Sequence, residues 1–529
     1  MTGSATVRDV ARDLMREFGL TTIFGNPGST EVAFLAGWPD DFRYVLGLQE
    51  SVVVAMADGY AQASGEAVLV NLHSAGGVGH ALGSIFTAYR NRTPMVVVAG
   101  QQARPLLTGE PFLGATDAPE FPRPYVKWSS EPACAANVPA ALARAYHMAT
   151  QPPCGPAFLS VPADDWDVPA APVRPRPRVA GYGPDPDALA ELAAALDESR
   201  RPALVVGAAV DEDGAVGDAV ALAERTRAAV WASPMSPRCS FPEDHRLFAG
   251  FLQPEQQSIA AALAGYDFVV VLGAPVFTYH VFRGRADGPL PRTYLVSDDP
   301  DVLARAEYGR GVLSTLRLAI RQLAETVRPA ERPAPAALVR PPAPAETRPV
   351  TAAYVLHAVS ETLPAAGIVV EEAPSHRNEL HDFLPIRARG GGFFTMASGA
   401  LGYGVAAAVG VAMAQPSRPV VAVLGDGAAM YGIQALWTAV RENTSVTFVI
   451  LDNSGYAAVQ LLADAAGSGK MPGVELGGID FASVAAGLGC PARLVEDPQE
   501  LRPALIQAMS TPGPMLLHVK VDPTRHPLY

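Results

Sequence analysis

The chain has 529 residues, 49% hydrophobic and 18% charged, with a formal net charge of −13. This describes a globular protein of about three domains with large buried cores, and the acidic balance argues against a nucleic-acid partner. The four cysteines, Cys134, Cys154, Cys239 and Cys490, form no CxxC pair, which argues against a disulfide framework or zinc site and fits a reducing cytoplasm.

The first twenty residues carry an amphipathic helix pattern rather than a signal peptide, and no apolar run reaches membrane-spanning length. Strands are predicted at Thr21 to Phe24, Tyr44 to Leu48, Val68 to Leu72 and Met95 to Ala99. A proline-rich stretch follows, from Val168 to Pro186. Beyond it come the apolar LVVGAAV (Leu204 to Val210) and a strand at Phe268 to Leu272, which leads into GAPVFTYH, ending at His280. No GxGxxG follows LVVGAAV, so a bound dinucleotide has little support. A second proline-rich stretch runs from Val327 to Val350. Strands are then predicted at Val420 to Leu424 and Val446 to Leu451, with a helix over Ala428 to Arg441 between them. Proline at this density favours extended linkers. The expected organisation is three parallel-sheet α/β domains, 1–168, 187–327 and 351–529, joined by linkers 169–186 and 328–350.

Parallel strands open their C-terminal ends on one edge, where α/β sheets bind ligands. In the first domain that places Ser29, after GNPG, together with Glu50 and His73: a hydroxyl, a carboxylate and an imidazole. In the third, the strand–helix–strand unit places Asp426 beside Asn453, 27 positions later. A carboxylate and an amide oxygen suit a hard cation, and the glycines of Gly425-Asp426-Gly427 before a helix suit a diphosphate. A metal-bridged diphosphate is the natural occupant.

GDG followed by the spaced Asp452-Asn453 resembles the thiamine diphosphate signature. With GNPGS (25–29), LQE (48–50), NLHSAGG (71–77), GQQAR (100–104), GAPVF-x-YH (273–280) and GALG (399–402), the chain resembles the thiamine diphosphate-dependent decarboxylase superfamily over nearly its whole length. It departs at Asp452, which stands where the signature has an asparagine, and at Gly455. The resemblance implies a pyrimidine-binding first domain, a middle domain and a diphosphate-binding third domain. It also implies thiamine diphosphate with Mg2+ or another hard ion such as Ca2+, and a homo-oligomer whose minimal active unit is a dimer, commonly a tetramer.

The resemblance also assigns roles. Asp426, Asn453 and the Gly455 carbonyl hold the metal, while Gly425, Gly427, Ala428 and Tyr456 lie against the cofactor. The Gly399 carbonyl accepts from the exocyclic amine, Leu401 bends the cofactor, and Glu50 hydrogen-bonds the aminopyrimidine. Ser29, His73 and His280 serve the substrate, the histidines as proton donors. Leu113, Thr395, Met396, Ala458, Val459 and Leu462 line the substrate pocket, whose wall at Leu462 reads as aliphatic. The implied reaction is non-oxidative decarboxylation of a 2-keto acid, foremost an aryl glyoxylate, to an aldehyde and CO2. The alternatives are a carboligase forming 2-hydroxy ketones and a non-catalytic cofactor-binding protein on the same fold.

Overall fold

A computed structural model of the chain describes residues 5–275, 279–280, 282, 284 and 290–524. The first sheet contains β1 (Thr22–Gly25), β2 (Arg43–Leu46), β3 (Val68–Leu72), β4 (Met95–Gln101), β5 (Trp128–Ser130) and β6 (Ala157–Pro162) in the order β2-β1-β3-β4-β6-β5. The second contains β7 (Pro202–Val206), β8 (Ala229–Ala232), β9 (Phe248–Phe251), β10 (Phe268–Leu272), β11 (Arg292–Ser297) and β12 (Arg310–Leu313) in the order β12-β11-β10-β7-β8-β9. The third contains β13 (Ile368–Glu372), β14 (Phe393–Thr395), β15 (Val420–Gly425), β16 (Val446–Asp452), β17 (Ala492–Val495) and β18 (Met515–Lys520) in the order β14-β13-β15-β16-β18-β17. Every pairing between these strands is parallel. The first and third sheets therefore have the same topology, though the sequence shows no repeat.

Parallel strands buried on both faces read as continuous apolar runs. Alternate residues of each strand feed different cores. Val70 and Val97 face one cluster while Leu69 and Val96 face another. In the third sheet Ala422 and Phe448 join the same cluster as Val70, whereas Val421 and Val449 are buried in a separate core on the other face. One apolar core thus lies between the first and third sheets. Its centre is the crossing of α1 (Glu50–Ser64) with a helix at Gly404–Ala414. A side chain at Gly59 would strike the Ala407 backbone, and one at Gly410 would strike that of Met56, so the helices touch main chain to main chain.

Residues 171–185 and 328–349 form neither helix nor strand. Among the described residues no helix is long and apolar enough to cross a membrane. Several strand limits shift by one or two residues, and one helix differs. The second strand ends at Leu46 rather than Leu48. The helix expected over 428–441 is two, Asp426–Gly432 and Ala435–Arg441. The break follows Gly432, a weak helix former whose Cα face lies against the Gly402 carbonyl.

Candidate active site

Two half-sites form at equivalent sheet edges. In the first domain β1 pairs with both β2 and β3, which brings the segments after them together. The chain after β1 turns through Asn26 into a 3-10 turn, Ser29–Glu31. After β2 it enters α1 at Glu50, and after β3 His73 caps α2 (Ser74–Arg90). Ser29 is exposed at this edge, whereas Glu50 is buried. Glu50 Oε1 accepts from Asn26 Nδ2 at 3.2 Å, and Oε2 lies 3.1 Å from His80 Nδ1.

His73 Nδ1 is 2.9 Å from Glu31 Oε2 and 3.0 Å from Thr30 Oγ1. Glu31 is itself buried and accepts from Thr30 Oγ1 at 2.6 Å and the amides of Gly28 and Gly100 at 2.8 and 3.1 Å. Because an ionised carboxylate only accepts, Nδ1 of His73 carries the proton and Nε2 is the nitrogen left to exchange one. The loop bearing Leu113 is fastened beside it, since Ser74 Oγ donates to the Leu113 carbonyl at 2.6 Å.

In the third domain β15 and β16 run in register, Gly425 opposite Leu451. The Gly455 amide donates to Asp426 Oδ2 at 3.0 Å and lies 3.2 Å from Asn453 Oδ1, so the two side chains meet around one N–H. The Gly427 amide holds the other Asp426 oxygen at 2.7 Å. Burial, with Asp452 nearby, pushes the Asp426 carboxyl up to about 6. Among the described residues no basic side chain pairs with it, and no three His, Cys, Asp or Glu side chains cluster as a metal site. A carboxylate, an amide oxygen and nearby carbonyls without a protein cation form a donor set suited to a hard divalent ion. A cleft of about 570 Å³ opens here, lined by Asn453, Gly455, Tyr456, Gln460 and Lys470 among others.

Asp452 raises the Asp426 carboxyl through its charge but does not join this donor set. It ends β16 opposite Lys520, and alternation along the strand turns it away from Asn453. Its carboxylate accepts from His518 Nε2 at 2.7 Å, pairs with Lys520 and takes the Ser454 amide at 2.9 Å. Against the upward push of burial, His518 and Lys520 hold it well below the usual carboxylate range.

The Gly399–Gly402 segment is set by Glu372, at the end of β13. Its fully buried carboxylate accepts the amides of Gly402, Tyr403 and Gly404 at 2.7, 3.1 and 2.8 Å. Burial nevertheless pushes it up to about 7. From the first domain Asn91 Oδ1 accepts the Ala397 amide at 2.9 Å, and Thr87 Oγ1 meets Ser398 Oγ at 2.7 Å. Leu401 packs on the shared core.

Of the expected pocket residues, Ala458 is tied to Ser375 Oγ through its amide at 3.1 Å, and Val459 and Leu462 are exposed. Thr395 and Met396 are buried beside Arg377, and Thr395 Oγ1 donates to Glu371 at 2.8 Å. His280 is exposed, its amide donating to the Pro254 carbonyl at 2.9 Å. Val276 to Thr278 of the same motif lie outside the described residues.

Residues 5–119, 189–323 and 374–519 match the family models described as the N-terminal TPP binding domain, the central domain and the C-terminal TPP binding domain of thiamine pyrophosphate enzymes. The chain belongs to the thiamine pyrophosphate enzyme family. Within it, the chain is 42% identical to benzoylformate decarboxylase of Pseudomonas aeruginosa, covering 97% of this chain and 98% of that one. It is 28% identical to an acetolactate synthase large subunit of Parasynechococcus marenigrum over 96% and 86% of the two chains. Among solved structures of thiamine pyrophosphate enzymes it resembles the 4-hydroxybenzoylformate decarboxylase of Rhodococcus jostii. The TM-score there is 0.94 at 39% identity, covering 98% and 99% of the two chains.

Sequence reasoning missed Asn26, Glu31, His80, Glu372, His518 and Lys520. The first three lie within or just beyond the GNPGS and NLHSAGG motifs. His518 and Lys520 lie on the strand beside that of Asp452, where only the register reveals them, and Glu372 acts on the amides of a later loop.

Proposed function

We propose that the chain is a thiamine diphosphate-dependent decarboxylase that converts a 2-keto acid, foremost an aryl glyoxylate such as benzoylformate, to an aldehyde and CO2. The observation that carries this is the pair of half-sites. One presents a buried carboxylate, Glu50, flanked by a histidine with a defined tautomer; the other presents Asn453 on a cleft, with Asp426 joined to it through the Gly455 amide. Their described hydrogen bonds stay within their own domains. Exposed apolar side chains accompany both: Leu48, Phe112 and Leu113 on the first domain, Tyr431, Val459 and Leu462 on the third. Such surfaces fit association, so a homodimer, with the half-sites of two chains facing each other, is the working unit.

Asp426, Asn453 and the Gly455 carbonyl hold Mg2+ or a like ion, with Gly425, Gly427 and Ala428 against the diphosphate and Tyr456 on the cleft wall. Gly399 and Leu401 position the pyrimidine, to which Glu50 hydrogen-bonds. The bound cofactor supplies the electron sink that a 2-keto acid lacks when it loses CO2. Ser29 holds the substrate carboxylate. His73 gives its Nε2 proton to the keto oxygen, while Glu31 holds its Nδ1–H. His280 donates the proton that replaces CO2 on the substrate carbon. Leu113, Thr395, Met396, Ala458, Val459 and Leu462 shape the space for the side chain.

A panel of 2-keto acids with thiamine diphosphate and Mg2+, reading aldehyde, CO2 and 2-hydroxy ketone separately, tests this. Benzaldehyde and CO2 in equal amounts from benzoylformate are expected. Acetolactate from pyruvate as the main product would favour the ligase reading, which the synthase relative and the aliphatic wall at Val459 and Leu462 keep in view.

A further inference from the structure

We propose that His80 is a positioning residue for Glu50, holding its carboxylate in the orientation that the pyrimidine requires. The inference rests on the reading of Glu50 given above and adds a residue to it.

A glutamate at the first position of a helix can fold back onto the free amides of its own first turn. Here that option is taken by Gln49, whose side chain accepts from the Val52 amide at 3.1 Å. The Glu50 carboxylate is left to neighbours from two other segments. Asn26, after β1, donates to Oε1, and His80, two turns into α2, meets Oε2. The stem of Glu50 lies over Gly77. A Cβ there would stand 3.5 Å from Glu50 Cγ and 3.4 Å from His73 Cβ. His73, Gly77 and His80 are spaced by four and three residues and so share one helix face. That face presents a histidine on each side of the glutamate, with glycine between them.

His80 Nδ1 must carry the proton, because the carboxylate can only accept. One donor on each oxygen fixes the carboxylate plane and leaves the remaining lone pairs for the N–H of a bound heterocycle. The side chain of His80 is 68% exposed and that of Glu50 12%. A pair with one partner so open contributes little to stability, so holding the buried carboxylate is its remaining physical effect.

The test uses full-length protein loaded with thiamine diphosphate and Mg2+, comparing His80→Leu and His80→Asn with wild type and Glu50→Gln. The readouts are deuterium uptake at cofactor C2 by quenched-flow NMR, cofactor affinity by fluorescence, and thermal midpoint. His80→Leu should slow C2 exchange by about 10-fold or more, the usual effect of losing an orienting partner, with affinity and midpoint near wild type. His80→Asn, whose Nδ2 can stand where the imidazole Nδ1 stands, should recover most of the rate. Wild-type exchange in His80→Leu, with Glu50→Gln slow, would overturn the role of His80 alone. A slow His80→Leu explained by weaker cofactor binding or a lowered midpoint would do the same. Fast exchange in Glu50→Gln would instead overturn the reading of Glu50 itself.

Discussion

Glu372→Gln tests how the pyrimidine-binding segment is held. One carboxylate oxygen accepts Gly402 and Tyr403, and the other accepts Gly404. A glutamine keeps a single acceptor oxygen and sets an NH2 group against a backbone N–H, so at least one bond is lost. Bonds to a charged group are each worth about 1.5–3 kcal/mol. The measurement belongs at pH 8, above the value near 7 to which burial raises the carboxyl, so that the wild-type group is ionised. One lost bond of about 2 kcal/mol is offset in urea denaturation by the buried charge that glutamine removes, so the net change there is small and the loss is read in the cofactor titration. If the same loosening reaches Gly399 and Leu401, thiamine diphosphate affinity falls by up to roughly 30-fold. Glu372→Ala, which strands three amides, should weaken binding further. Unchanged cofactor affinity in Glu372→Gln would refute the role assigned to this carboxylate.

Asp426→Ala should abolish cofactor binding in a fluorescence titration, while His73→Ala and His280→Ala should cut turnover by about 10²–10⁴ and leave affinity nearly intact; equal loss of affinity in all three would sink the division of roles. Asp58, fully buried on α1 and bonded by Asn91 and Thr93, is pushed up to about 7 by burial. The folded chain therefore keeps a proton that an unfolded Asp, with a pKa of about 4, has released. Its contribution to stability is complete below pH 4 and lost as pH rises through 7. The thermal midpoint of Asp58→Asn relative to wild type should thus rise between pH 5 and pH 8, and a flat difference would contradict the assignment. Gly410→Val should disrupt the crossing of α1 with the 404–414 helix and lower the thermal midpoint, since the added methyls meet backbone that cannot move aside.

Most of the strands named from the sequence were legible because their residues are buried on both faces and read as unbroken apolar runs. Strand ends followed from that, and with them the placement of Glu50 and His73 after neighbouring strands of one sheet and of Asp426 beside Asn453. The helix break after Gly432 was hidden because it depends on the distant Gly402 turn. The compensation of Asp452 by His518 and Lys520 was hidden for a related reason. It is written in the β16–β18 register, 66 and 68 residues along the chain. Glu372 was equally silent: a glutamate ending an apolar strand gives no sign that three amides of a later loop converge on it. Residues within a motif carry their meaning locally, whereas those that hold the motifs in place come from neighbouring strands and act only once the sheet has formed.

Mixing two inactive variants asks whether each site joins Glu50 of one chain to Asp426 of another. Glu50→Gln and Asp426→Ala, each inactive alone, are unfolded together, refolded and assayed with a 2-keto acid, thiamine diphosphate and Mg2+. Random pairing in a two-fold dimer makes half the dimers mixed, each with one intact site, so about a quarter of wild-type activity should return. No activity at any mixing ratio, with both chains folded and dimeric, would rule out a site shared between chains.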